Sequence, residues 1–251
     1  MFTQWITTTV SSFIMLMLIL GPLIALELAF PKSPAPFLSR LQGLTFLALG
    51  LPFFSLAQIL LFRLFSPSPL AIIDLTRIPF QPVTGLLCAA VLGDFWFYWM
   101  HRIQHKFFWR FHSVHHSIEN LSAISSYHHI SEALFQTIFR ALPAALLFQR
   151  IESAWLLTPI LWVQGLYLHS SMRIHLGPLR YIVGDNRFHR IHHSTDPAHF
   201  NKNFSAFSPV WDVLFRTAYF PKPSEWPACG LSDHKEVSST FEWLVRPFRN
   251  Q

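Results

Sequence analysis

Long apolar runs alternate with short proline-rich breaks, and that alternation limits the folds open to the chain. Trp5 to Phe30 is the first run, closed by the PKSPAP stretch at Pro31 to Pro36; Leu41 to Phe65 is the second, closed by SPSP at Ser66 to Pro69; Val83 to Met100 is the third and runs straight into His101. A helix of ~20 mainly apolar residues crosses the ~30 Å hydrocarbon core of a bilayer, so each run reads as a membrane span. Two shorter runs, Ala133 to Phe148 and Ser153 to Leu168, flank a polar turn at Gln149 to Glu152 and read as a tight helical hairpin that spans only partly. Arg140 sits inside the first of these, where a charge at a helix centre costs ~2.5 to 3.5 kcal/mol; it snorkels, or the hairpin lies shallow. The expected fold is all-α, an integral membrane helical bundle of about four to five hydrophobic helices. A cytosolic helical cap carries its histidines.

Composition supports a membrane protein. Only 13% of the 251 residues are charged, against about 25% in a typical soluble domain. The net charge of +6 comes without a basic run or zinc-finger cysteine spacing, so nucleic acid is not an expected partner. Cys88 and Cys229 are too few for a disulfide framework or a thiolate metal site. The first apolar run lacks a basic leader and exceeds the roughly 7 to 15 residues of a signal core, so it reads as a retained span.

Parity places His101 and His169 on one side of the membrane, with three spans before the first and a returning hairpin before the second. On that side lie fifteen Lys and Arg residues, against Arg63, Arg77 and Arg150 on the other. Discounting the ten that follow residue 170 leaves five against three, and the positive-inside rule then turns the histidines toward the cytoplasm.

The histidines are clustered. His101 and His105 are four apart; His112, His115 and His116 add spacings of three and four; His189, His192 and His193 repeat them. On a helix such spacings put the imidazoles on one face, within reach of one ion. Imidazole suits iron, zinc, copper and nickel. Eight clustered rings exceed what one four-coordinate ion can use, so two metals are the simplest count. His175, His199 and His234 stand apart and read as ordinary hydrogen-bonded residues.

The runs Asp94-Phe-Trp-Phe-Tyr-Trp-Met-His101-Arg-Ile-Gln-His105, Trp109-Arg-Phe-His112-Ser-Val-His115-His116 and Phe188-His189-Arg-Ile-His192-His193 resemble the fatty acid hydroxylase and sterol desaturase superfamily of membrane di-iron oxygenases. Asn203-Phe204 and Trp211-Asp212 to Thr217 extend the resemblance, which covers about residues 88 to 220. The expected organisation is three units: N-terminal transmembrane helices over 1–82, a catalytic domain resembling that family over 83–220 and a cytosolic tail over 221–251; the resemblance itself concerns the second. The resemblance implies iron ligation by His101, His105, His112, His115, His116, His189, His192 and His193, with His169 as a further ligand. Two positions depart from the family. His129-Ile-Ser-Glu132 stands for a His-Pro-x-Glu element, which makes His129 a further ligand or a supporting donor, and Ser171 replaces a frequent Asn.

A carboxylate that accepts the distal ring N–H of a ligating histidine fixes its tautomer and orientation. Asp94, two helical turns before His101, is the first candidate for that role; Glu119, Glu132 and Asp185 follow, and Asp212 reads as structural. The aromatic run Phe95 to Trp99 reads as interfacial packing.

The resemblance implies an enzyme holding two Fe ions that takes O2 as co-substrate and hydroxylates or desaturates a membrane lipid. The chain has no Gly-rich dinucleotide fingerprint and no iron–sulfur cysteine pattern, so a separate ferredoxin-like or cytochrome-like electron donor is expected. The alternative is a histidine-rich membrane metal transporter or metal-binding protein. Against it, the histidines lie at span ends and not at mid-membrane.

Overall fold

The computed structural model describes residues 1–65, 74, 83–147, 157–233 and 235–249. The SPSP break, the Gln149 to Glu152 turn, Arg77, Arg150 and His234 lie outside the described residues.

Three long helices follow the three long apolar runs: α1 over Phe2–Ala29, α2 over Phe37–Phe65 and α3 over Val83–Phe107. Each is long and apolar enough to cross a membrane, and among the described residues no other helix is. Their outward faces leave Ile6, Phe13, Leu18, Leu49, Phe53 and Leu60 exposed, as a surface facing acyl chains requires. Helices α1 and α2 are antiparallel and tied at both ends. At one end Arg63 donates to Gln4 Oε1 (2.9 Å) and the Trp5 indole donates to Pro52 O (2.8 Å). At the other end the Arg40 guanidinium donates to Glu27 Oε2 at 2.7 Å, with Glu27 only 1% exposed.

The fourth apolar run forms α5 (Glu132–Gln136), a π-helical turn (Thr137–Ala141) and α6 (Leu142–Leu147); the fifth contributes α7 (Leu157–His169). The expected hairpin turn between them lies outside the described residues. Short helices make the cap: α4 (Trp109–His116), α8 (Asn186–His192), α9 (Val210–Leu214) and α10 (Thr240–Val245). Among the described residues the extended pairing is confined to two isolated bridges, Pro31 with Met172 and Ser194 with Cys229.

Two apolar clusters join bundle and cap. Leu16 and Leu20 of α1 pack with Ala123, Ile124 and Leu166. Phe46 of α2 packs with Val114, Ile118, Tyr127 and Trp243; its ring stacks on Trp243 at 5.3 Å between centroids. Trp243 is 1% exposed, so the C-terminal stretch folds into the cap and does not trail from it.

Candidate metal centre

Nine histidines converge under the membrane helices in two adjoining groups. His101, His105, His112, His116 and His192 form one; His115, His169, His189 and His193 form the other; within each group one ring nitrogen per residue lies within 4.8 Å of all the others. The rings of His116 and His193, one from each group, stack at 4.5 Å between centroids. Local helicity sets this up. Helix α3 ends at Phe107, just past His101 and His105, and α4 presents its three histidines at helical spacing. Helix α8 is started by Asp185, whose side chain accepts the Phe188 N–H, and presents His189 and His192 with His193 at its end.

Backbone carbonyls orient the rings. Nδ1 of His101 lies 2.7 Å from Phe204 O, that of His115 2.9 Å from Tyr127 O, that of His169 2.7 Å from Gly165 O and that of His192 2.8 Å from Lys202 O. A carbonyl only accepts, so each of these Nδ1 atoms carries the proton and each neutral ring turns a bare Nε2 inward. The consequence is sharpest for His115 and His169, whose Nε2 atoms stand 3.1 Å apart with both Nδ1 protons already donated. Two lone pairs facing each other at that distance repel unless a cation lies between or beside them. Protonation does not relieve the contact, because burial, with neighbouring histidines adding to it, holds His115 well below the usual imidazole range. His189 and His193 are depressed in the same way, and both nitrogens of His193 are buried without a hydrogen-bond partner among the described residues. Neutral, convergent and unsatisfied nitrogens fit metal ions, the donor set being one that iron, zinc, copper or nickel accepts.

Beside the histidines opens a cavity of about 630 Å³. His101, His115, His169 and His189 line it together with apolar residues of the bundle, among them Leu51, Phe97 and Trp162. One wall carries a polar ladder. Gln104 and Gln136 donate to the two oxygens of Glu132 (2.6 and 2.9 Å), and Arg140 donates to Gln136 Oε1 (3.1 Å). Arg140 thus lines the cavity, its charge solvated by a side-chain amide.

Comparison with known proteins agrees with this geometry. The fatty acid hydroxylase family profile matches residues 86–217, the stretch holding all nine histidines. The chain belongs to the fatty acid hydroxylase family. A Rhizobium tropici protein named ornithine lipid hydroxylase is 33% identical over 172 residues, covering 67% of this chain and 50% of its own length. Alkylglycerol monooxygenases of Caenorhabditis elegans and Homo sapiens are 29% and 28% identical over 178 and 173 residues, 67% and 64% of this chain. The chain spans half the length of the first of these relatives and 33% and 36% of the other two. No solved structure matches it.

In this family member the carboxylates work differently from the sequence reading. Among the described residues Asp94 accepts no ring N–H. Its oxygens take the backbone N–H groups of Ala206, Phe207 and Ser208 at 2.9, 2.9 and 2.8 Å. Asp212, structural as expected, takes those of Phe204 and Ser205 at 2.8 and 2.9 Å. Together the two acids hold the loop whose Phe204 carbonyl orients His101. Asn203, in the left-handed region at φ 58°, donates to Phe188 O and Tyr219 O and shapes the approach to that loop. Among the described residues no side-chain carboxylate of Glu119, Glu132 or Asp185 hydrogen-bonds to a clustered imidazole: that of Glu119 accepts the Glu236 N–H, that of Glu132 the two glutamine amides, and that of Asp185 the Phe188 N–H.

His129 also faces away. Its Nδ1 meets Ser131 Oγ at 2.8 Å and its Nε2 meets Leu244 O at 3.3 Å, so both nitrogens are engaged with the cap and not with the centre. The neighbouring His128 takes the inward position that the sequence reading missed. Its ring stacks on His115 at 3.7 Å between centroids with 12° between planes, it lines the cavity, and burial lowers its pKa to about 3. The available signal was the doublet His128-His129, which repeats the pattern of His115-His116 and His192-His193. Ser171 serves the fold, its hydroxyl donating to Leu121 O and its N–H to Glu27 Oε1 (2.5 Å).

Proposed function

We propose that this chain is a di-iron, O2-dependent membrane lipid hydroxylase, its histidines facing the cytoplasm. The observation that carries the proposal is the pair of convergent, neutral histidine groups bordering an apolar cavity walled by the bundle helices. The nine clustered histidines are the proposed ligands, five for one iron and four for the other. Irons bound there supply O2-dependent oxidation of an unactivated C–H bond: one oxygen atom enters the substrate and the other leaves as water, with two protons and two electrons from a separate ferredoxin-like or cytochrome-like donor.

The remaining roles fall to side chains. Leu51, Phe97 and Trp162 exclude water and hold an acyl or isoprenoid chain in register, since fixing one carbon near the centre is the main positional task. The carbonyls of Phe204, Tyr127, Gly165 and Lys202 keep each imidazole in the ligating tautomer. The Gln136–Arg140 rung offers hydrogen-bond donors to a polar group of the lipid. Relatives named for hydroxylation and monooxygenation favour a hydroxyl product over an alkene.

Lipidomics of aerobic, iron-replete cells with and without the protein, beside a His115→Ala control, tests this reading. The expected result is a lipid gaining one oxygen only with the unaltered protein; a loss of two hydrogens would instead mean desaturation. Identical lipid profiles, with the protein present in the membrane at the same level as its control, would overturn the proposal. Metal flux into vesicles without lipid oxidation would favour transport.

A further inference from the structure

A second cavity, of about 400 Å³, has a different character. Lys32, Arg173, His175 and Arg187 line it, Trp226 contributes an aromatic wall, and among the described residues no carboxylate lines it. The fold assembles these residues from distant stretches. Lys32 follows α1, Arg173 and His175 follow α7, and Arg187 belongs to α8. The backbone fixes the first two stretches against each other: Lys32 N donates to Ser171 O and Arg173 N to Phe30 O, both at 2.7 Å, around the Pro31–Met172 bridge.

Arg187 is the telling residue. It is 8% exposed and lines the void, and its Nε faces Asp185 Oδ2 at 3.6 Å, an ion pair too long for a hydrogen bond that leaves both atoms without a hydrogen-bond partner among the described residues. Asp185 is already engaged at the start of α8 through its other oxygen. A nearly buried guanidinium held only loosely by its acid, joined at one void by Lys32 and Arg173, fits an anion with several acceptor oxygens.

We propose that this pocket binds the phosphate of an anionic membrane lipid headgroup. Phosphate oxygens match the planar fork of arginine, and lysine adds a point charge. Two features favour a lipid over free phosphate. Lys32 lies three residues beyond the end of α1, where that helix leaves the hydrocarbon, so the pocket sits at headgroup depth. The segment linking Arg173 to Arg187 exposes Ile174, Leu179, Tyr181 and Ile182, an apolar border suited to the bilayer interface. The site is distinct from the histidine cavity and does not depend on which reaction occurs there.

The test is thermal unfolding of the full-length protein in detergent micelles, titrated with phosphatidylglycerol, phosphatidylcholine or inorganic phosphate. No turnover enters the readout, so its outcome is independent of the proposed lipid oxidation. The expected result is saturable stabilisation by phosphatidylglycerol alone. Apparent affinity should fall roughly thirtyfold in the Lys32→Gln/Arg173→Gln variant, as loss of two surface cations facing an anionic lipid implies. Both substituted residues are exposed, but the Arg173 side chain also donates to Pro31 O at 2.7 Å, so each variant is read as the lipid-dependent shift from its own lipid-free midpoint; Arg187→Gln should abolish the preference as well. Equal stabilisation by phosphatidylcholine, or an undiminished preference in the double variant, would overturn the assignment. Equal protection by inorganic phosphate would overturn the lipid as its ligand.

Discussion

Replacing Asp94 by Asn separates its observed role from that of a direct histidine partner. Two backbone N–H groups reach Asp94 Oδ1 and one reaches Oδ2, the last from Ser208, which is 6% exposed. In Asp94→Asn the amide oxygen still serves two of them, but its NH2 group meets the third donor to donor. A buried N–H left unsatisfied costs ~1 to 3 kcal/mol, and the two surviving bonds lose charge assistance, for a total of roughly 2 to 4 kcal/mol. At roughly 2 to 4 °C per kcal/mol for a chain of this size, the unfolding midpoint falls by about 5 to 15 °C. Slackening of the 204–208 loop also frees the Phe204 carbonyl from His101, and losses of supporting contacts typically weaken metal binding about 10- to 100-fold. The assay pairs differential scanning fluorimetry in detergent with a competitive metal titration. Asp196→Asn serves as control: that side chain is exposed and caps one N–H, which Asn does about equally well. An Asp94→Asn protein that melts and binds metal like the unaltered one would refute the reasoning.

His128→Ala should lower metal affinity roughly 10- to 100-fold by removing the ring stacked on His115, whereas His129→Ala should leave affinity unchanged and lower the melting temperature; metal titration of both variants reads the difference. Metal-free protein should lose stability as pH falls below about 6.5. Burial depresses His112, His115, His116, His189, His192 and His193 in the fold, so the unfolded chain takes up protons first and unfolding is favoured; a melting temperature flat between pH 8 and 5 would contradict this. Gly43→Ala should destabilise by about 1 to 3 kcal/mol, because the added Cβ would stand 2.6 Å from the backbone oxygen of Ile124. Gly21→Ala, with open space around it, should be neutral or stabilising in the same melting assay.

The histidine pattern was legible because its information is local. Spacings of three and four hold whatever surrounds the helix, so eight of the nine rings that meet in the fold could be named from their own segments, while His169 stands alone in its segment and followed only from the family resemblance. What the carboxylates do was not legible, since their partners are remote in sequence. Asp94 meets amides 112 to 114 positions away, and Glu27 meets Ser171 from 144 positions away. Nothing near Asp94 distinguishes a partner for a histidine from a clasp on a distant loop. His128 and His129 show a second limit. One of two adjacent histidines turns inward and the other outward, and the choice is made by Trp243 and Leu244, which arrive from the far end of the chain. The three long spans followed from apolar length alone.

The Glu27 carboxylate grips Arg40 on one side and the Ser171 amide on the other, two residues past His169. Helix α1 is therefore no detachable mooring. Trimming it away to obtain a water-soluble fragment would pull out the pin that seats His169, and the fragment should lose its metal before it loses its helices.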